Sequence, residues 1–426
     1  MRRRKHLTTK TRKTKQNIIR FPSSKKERRR LLLESKDIRV RIVTTLRTAC
    51  GWLLVIAVFL FLLSNYRLFT PASIQSLASY AIAGLREHGG DATTIAYENG
   101  SFSDAALFES GLAYADSDSL FLAKPGGLVT LRQTLGYTAP VVESCDDYVL
   151  AFDCGGTKAV LANSVSAAAE LELTSPIITG SIAENGHFAL VTDEQGYRTA
   201  AAVYDTSGKE VFKYQSSEYY IVSAALSPDG KTLAALAFRQ DGVMLDSHLL
   251  LYTVSSGELA ADAVLEGTLG IDVRFLSNGT AAILADDGLY LADRKGGTEH
   301  VLTFVSSDLL AFSMQNGAVV LATRSYSGGA RSDLYTVQED GVLNGPFFLS
   351  EEPSAVSLSN AGFAVLTSSG VSVYDSSAAP LWHNSEAVGA RSVLLTDDGT
   401  LFALYAKNTR LFTAHSEQSE DISHAS

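Results

Sequence analysis

Five stretches of the chain are variants of one pattern, an apolar run, an Asx-Gly pair and a second apolar run. They are GSIAENGHFALVT at 180–192, VSAALSPDGKTLAALAF at 222–238, VRFLSNGTAAILA at 273–285, LAFSMQNGAVVLAT at 310–323 and SVLLTDDGTLFALYA at 392–406. Asn-Gly and Asp-Gly take the positive φ angles of tight hairpin turns, so each stretch reads as strand, turn, strand. The turn glycines are Gly186, Gly230, Gly279, Gly317 and Gly399, and a weaker copy, SLSNAGFAVLT, adds Gly362. Successive gaps are 44, 49, 38, 45 and 37 residues. A repeat of about 40 to 45 residues with four short strands is the period of a propeller blade.

A second hairpin follows each first one, in AVYDTSGKEVF, LLLYTVSSGELA, LYLADRKGGTEHVL, DLYTVQEDGVL and VSVYDSSAAPLW. The same template, moved toward the N-terminus, fits LFLAKPGGLVTL around Gly126 and KAVLANSVSAAAELEL around Asn163. These predict blades near 102–135 and 139–173. The last unit, Val393–Ala414, has room for three strands only, and ATTIAYEN at 92–99 is a strand without a blade. If the early strand completes the final blade, the ring closes without an exposed sheet edge. The expected architecture is all-β, an eight-bladed (alternatively seven-bladed) β-propeller.

The charge is divided unevenly. Of 36 basic residues, 18 lie in residues 1–48 together with three of the 46 acidic ones, which leaves a net charge of −25 on the remainder. Between Arg47 and Arg67 stand 19 uncharged residues, which as a helix would span roughly 28 Å, the thickness of a bilayer core. Trp52 and Tyr66 suit its two interfaces. A signal peptide would have a far shorter basic region and a small-residue cleavage site. The excess of Lys and Arg before the apolar run places the N-terminus in the cytoplasm and the acidic body outside.

The expected domains are a basic, disordered cytoplasmic tail (1–33), a juxtamembrane helix (34–47), a transmembrane helix (48–66), a short stem helix (67–91), the propeller (92–415) and a disordered C-terminal tail (416–426). The expected location is the plasma membrane, with a single pass and an extracellular propeller. Residues 48–66 would contact the lipid bilayer and the basic tail anionic lipid, and no nucleic acid is expected. Of three cysteines Cys50 lies in the apolar run, so one bridge, Cys145 to Cys154, is the maximum; two buried thiols are the alternative reading.

SPDGKTLAALA, Ser227 to Ala237, resembles the first hairpin of the WD-repeat and quinoprotein-like propeller superfamily. The layout over about residues 35 to 415 is similar to a family of single-pass membrane-anchored β-propeller proteins of low-GC Gram-positive bacteria, which implies a fold and a location and no activity. The chain lacks the Gly-His and Trp-Asp pair of WD blades. Trp52 and Trp382 are its only tryptophans, so the tryptophan-docking repeats that accompany a quinone cofactor are missing and no cofactor is expected.

Chemical motifs are scarce. The eight histidines include no pair at i, i+4, and no nucleophile elbow, phosphate loop or dinucleotide turn occurs. Asp116 with Asp118, and the pairs Asp146/Asp147, Asp286/Asp287 and Asp397/Asp398, could hold calcium, but aspartates of this kind more often accept from backbone N–H groups in turns. Tyr219, Tyr220, Trp382 and His383 fall in connections leading to innermost strands, where aromatics could form a recognition patch.

No catalytic, cofactor or metal residue is therefore assigned. The leading reading is a non-enzymatic scaffold that binds a protein or cell-wall component through a propeller rim. The alternatives are an extracytoplasmic hydrolase or lyase acting on glycans at the channel, and a single-pass ligand sensor. Clustered acids or an Arg with perturbed pKa in the channel would mark the hydrolase.

Overall fold

The computed structural model describes residues 46, 49–56, 94–145, 147–241, 244–315, 317–326 and 331–414. Two compact units divide the chain, 1–69 and 70–426. In the first, residues 49–56 are helical, with Trp52, Leu53 and Leu54 exposed. Among the described residues no helix is long and apolar enough to cross a membrane. The expectations for 1–33, for 67–91, for 416–426 and for most of 34–47 and 48–66 lie outside the described residues.

The second unit contains eight antiparallel sheets of four strands, the eight-bladed propeller that the repeat predicts. Blades 1 to 7 occupy residues 104–134, 140–172, 177–216, 220–265, 270–303, 309–349 and 355–384. Blade 8 takes three strands from 392–412 and its outermost strand from Thr94–Ala96. Blades 1 and 2 fall within two residues of the expected bounds. Strands within a blade alternate in direction. The first and third turns of each blade therefore lie on one face of the ring, here the turn face, and the second turns and blade-to-blade linkers on the other, the linker face.

Eight separate clusters of buried side chains stand in for a single core, one at each blade interface. Phe152 and Leu161 of blade 2 meet Phe188 and Leu190 of blade 3; Leu236 and Leu249 of blade 4 meet Val273 and Ile283 of blade 5. Second strands such as Phe188–Thr192 and Ala281–Ala285 are buried at every position, because both of their faces pack on neighbouring sheets. That is why they read as continuous apolar runs without alternation. Their many alanines let adjacent sheets approach closely.

The predicted turn glycines sit where expected. Gly230 has φ +67, and a Cβ there would meet the Asn185 side chain of blade 3 at 2.2 Å. Asn185 in turn donates through Nδ2 to the Asp229 carbonyl at 3.2 Å, so this glycine serves both the turn and the contact between blades. The widest spacing, 49 residues after Gly230, has a structural cause. The middle strands of blade 4, Thr232–Asp241 and Met244–Thr253, are ten residues each and prolong the hairpin on the linker face.

Closure follows the expected route. Thr94, Ile95 and Ala96 pair antiparallel with Arg410, Thr409 and Asn408. Ile95 is fully buried; Tyr97 N–H donates to the Lys407 carbonyl at 3.2 Å, and the Tyr97 hydroxyl lies 2.7 Å from Thr409 Oγ1. Ile95 and Tyr97 pack with Tyr114 and Phe121 of blade 1 and Phe402 of blade 8. Burying an Ile and most of a Tyr contributes about 1.5–3 kcal/mol each.

Candidate functional site

The innermost strands surround a cavity of about 640 Å³ that receives residues from all eight blades and opens among the inner turns. Its lining includes the acids Glu109, Glu143, Glu184, Glu339, Asp397 and Asp398, and one base, Arg274.

Arg274 is the fifth residue of the innermost strand of blade 5, Gly270–Phe275. Its Nη2 donates to Glu143 Oε1 at 2.8 Å, and its Nε lies 3.4 Å from Asp272 Oδ2. Glu143 belongs to blade 2, three places round the ring, so the bond crosses the channel. Asp272 Oδ1 also accepts from Ser223 of blade 4 at 2.6 Å. Asp104 Oδ2 accepts the Val142 N–H at 2.8 Å, which ties blade 1 to blade 2 beside Glu143.

About a quarter of each side chain, 24% for Arg274 and 23% for Glu143, stays accessible, yet both lie deep in the ring with protein on every side. Burial therefore dominates the electrostatics. It pushes the Glu143 carboxyl up, Arg274 pulls it back, and Asp272 and Asp104 push it up again. Asp104 is also raised by burial, against the N–H groups of Val142 and Ala105. Burial alone would lower the Arg274 guanidinium; Glu143 and Asp272 outweigh it and hold the group above its ordinary value. The clustered acids and Arg that would mark a hydrolase are thus present, but both carboxylates beside Arg274 are spent on it.

The predicted aspartate pairs do turn and linker work. Asp116 accepts from the N–H groups of Asp118 and Ser119 and from Asn99 Nδ2. Asp286 accepts the Leu269 N–H and Asp287 the Tyr290 hydroxyl. Asp397 accepts from Asn360 of blade 7, and Asp398 from Thr396 and Thr400. Asp146 lies outside the described residues. Among the described residues no three His, Cys, Asp or Glu side chains gather as a metal site. No disulfide joins Cys145 to Cys154: Cys145 faces Tyr148 across its hairpin, and Cys154 bridges to Ile177 of blade 3.

The four aromatic-patch residues do not come together. Tyr219 and Tyr220 stand at the linker-face end of blade 4, as expected. Trp382 and His383 belong instead to the outermost strand of blade 7, Pro380–Asn384, because the short helical turn Ser385–Ala387 lengthens the linker that follows. Trp382 packs on the interface of blades 7 and 8, and Tyr219 on that of blades 3 and 4. Tyr220 is 42% exposed, with Arg198 over its ring at 4.6 Å and Phe238 stacked at 5.3 Å. Tyr197, Leu269, Val305, Tyr326 and Val388 are further exposed apolar side chains of the linker face.

Comparison with known proteins agrees with this architecture. Residues 91–380 match the family described as "Family of unknown function (DUF5711)". The comparison with curated proteins gives no match. Among solved structures, the chain is similar to BamB from Moraxella catarrhalis, with TM-score 0.50 and 13% identity over 75% of this chain and 98% of that one. It is also similar to Kuenenia stuttgartiensis hydrazine synthase, with TM-score 0.45 and 12% identity over 76% and 98%. At such identities the likeness to BamB supports the propeller fold alone.

Proposed function

This chain belongs to the DUF5711 family, and from that premise we propose that it is a membrane-anchored, extracytoplasmic propeller acting as a non-enzymatic scaffold for a protein or cell-envelope partner. The state of the channel carries the reading. The one guanidinium of its lining is shared by Glu143 across the ring and Asp272 on its own strand, so these charged groups already satisfy each other. Paired buried charges of this kind are costly to separate, which suits a rigid platform. The anchor rests on the 19 uncharged residues behind 18 basic ones, and the basic tail would lie against anionic lipid.

Crosslinking of the anchored protein in cells, followed by mass spectrometry, tests the scaffold. One dominant partner that disappears when the propeller is deleted is expected, and the absence of any specific partner sinks the reading. Topology has its own test, since Cys154 is exposed. A membrane-impermeant maleimide should label it on intact cells; labelling only after lysis would place the propeller inside.

Glycan hydrolysis at the channel is the second reading, and it draws on the raised Asp104 and Glu143 carboxyls. It predicts glycan cleavage by the full chain that vanishes in Glu143→Gln. No cleavage across a panel of cell-wall glycans would remove it.

A further inference from the structure

We propose that the cleft between blades 3 and 4 on the linker face, with the Arg198 guanidinium in its wall, binds an aspartate or glutamate side chain on an exposed loop of a partner protein. The inference rests on the scaffold reading and gives that partner a place and a chemistry.

Strand lengths make the cleft. The linker at 217–219 is its floor, the second turn of blade 3 at 193–198 stands on one side, and the prolonged hairpin of blade 4 stands on the other. Tyr220 pairs with Phe238 at the linker-face end of the two inner strands of blade 4. Beyond that point the hairpin continues as two strands alone, Arg239 opposite Asp246 and Asp241 opposite Met244.

Two arginines lie here on two consecutive tyrosines, Arg239 over the Tyr219 ring at 5.5 Å and Arg198 over the Tyr220 ring at 4.6 Å. Arg239 also donates to Glu218. Arg198 is exposed, and among the described residues it has no carboxylate partner and its two Nη groups have no hydrogen-bond acceptor. The Arg198 head is nevertheless fixed. Its Nε donates to the Ser217 carbonyl at 3.1 Å and its backbone N–H to the Ser216 carbonyl at 2.8 Å, while Phe238 stacks on Tyr220 from the hairpin. The floor is tied as firmly, since Thr199 Oγ1 donates to the Tyr219 carbonyl at 3.2 Å and accepts the Ile221 N–H at 2.8 Å. A planar fork held in this way loses little freedom when a carboxylate takes its two Nη donors.

Charge and surface decide the occupant. In a body of net charge −25, an exposed guanidinium without a carboxylate is a point of complementarity for an acidic partner. The Tyr220 ring already carries Arg198 and Phe238, so it offers no open plane for a sugar to stack on. Tyr197, Leu269, Val305 and Tyr326 are exposed on the same face, and such apolar area is what a protein surface covers.

Carbodiimide coupling on membranes that hold the full chain tests the site, because it joins an amine to a carboxylate only where the two touch. In Arg198→Lys the expected product is an amide between position 198 and an Asp or Glu of one partner protein, located by mass spectrometry. Arg198→Gln should lower the yield of that partner in cellular crosslinking about tenfold. Arg132→Gln is the control: Arg132 is also exposed, lies over the Phe121 ring and pairs with Glu98 of its own chain, so the yield should stay unchanged. Both variants should keep the melting temperature of the unsubstituted chain. An equal loss in the two variants would reduce the effect to bulk charge and overturn the proposal. So would an amide to a carboxylated glycan in place of a protein. A partner captured in full by Arg198→Gln, with no amide at position 198 in Arg198→Lys, would leave the scaffold standing and remove this cleft as its site. Absence of any specific partner of the unsubstituted chain would sink the scaffold reading and the cleft with it.

Discussion

Two ties hold distant parts of the ring together, and they are of opposite kinds. One joins Thr94–Ala96 to Asn408–Phe412 at the closing blade, through backbone pairing, buried apolar side chains and the Tyr97–Thr409 hydrogen bond. The other joins blade 2 to blade 5 across the channel through Glu143 and Arg274. The first consists of groups that do not change charge in the physiological range; burial moves even the Tyr97 hydroxyl up to about 12. The second consists entirely of charge. Closure of the ring is therefore insensitive to pH and salt, whereas the channel bridge responds to whatever alters the balance between Glu143 and Arg274.

Removing residues 94–97 should break the comparison most strongly. It strips Ile95 and Tyr97 from their cluster and bares the edge of blade 8, a loss on the order of 5 kcal/mol. The melting temperature should fall steeply; an unchanged value would mean that the ring closes without this strand.

Arg274→Met comes next, at about 3 kcal/mol near neutral pH, since it leaves Glu143 charged and unpaired. Glu143 has a raised carboxyl pKa in the folded state. Its contribution to stability is accordingly fully present below its unfolded pKa and lost as pH rises through the folded one. The deficit of Arg274→Met should then be largest at alkaline pH and shrink as the pH falls and Glu143 takes up a proton. Glu143→Gln added to Arg274→Met should recover much of it. Denaturant unfolding at several pH values measures both, and a deficit that does not vary with pH would contradict the assignment.

The smallest effect belongs to Tyr97→Phe. It removes one buried hydrogen bond, about 1 kcal/mol, and the change should be the same at acid and neutral pH. A pH-dependent change would show the closure to be electrostatic after all.

These two ties also differ in how far they could be read from the chain. Closure was legible, because the last unit lacks one strand and ATTIAYEN is a strand without a blade. Turn glycines were legible as well, since Asn-Gly and Asp-Gly report a local conformation. The channel bridge was not. Glu143 and Arg274 are 131 residues apart and carry no motif; only the ring brings them together. Trp382 was misplaced because the length of a linker is not written in strand periodicity, and Ser385–Ala387 takes up residues that otherwise read as the approach to a strand.

Closure through Thr94–Ala96 has a consequence for biosynthesis. The strand that leaves the ribosome first must wait for the one that leaves last, and until residues 408–412 arrive, blade 8 has no outer pair and blade 1 presents Tyr114 and Phe121 uncovered. Every translation product that stops short of that point carries an open sheet edge and an aromatic patch. The finished ring is thus its own proof of length, and proteases that survey unfolded chains have a marker for the unfinished ones.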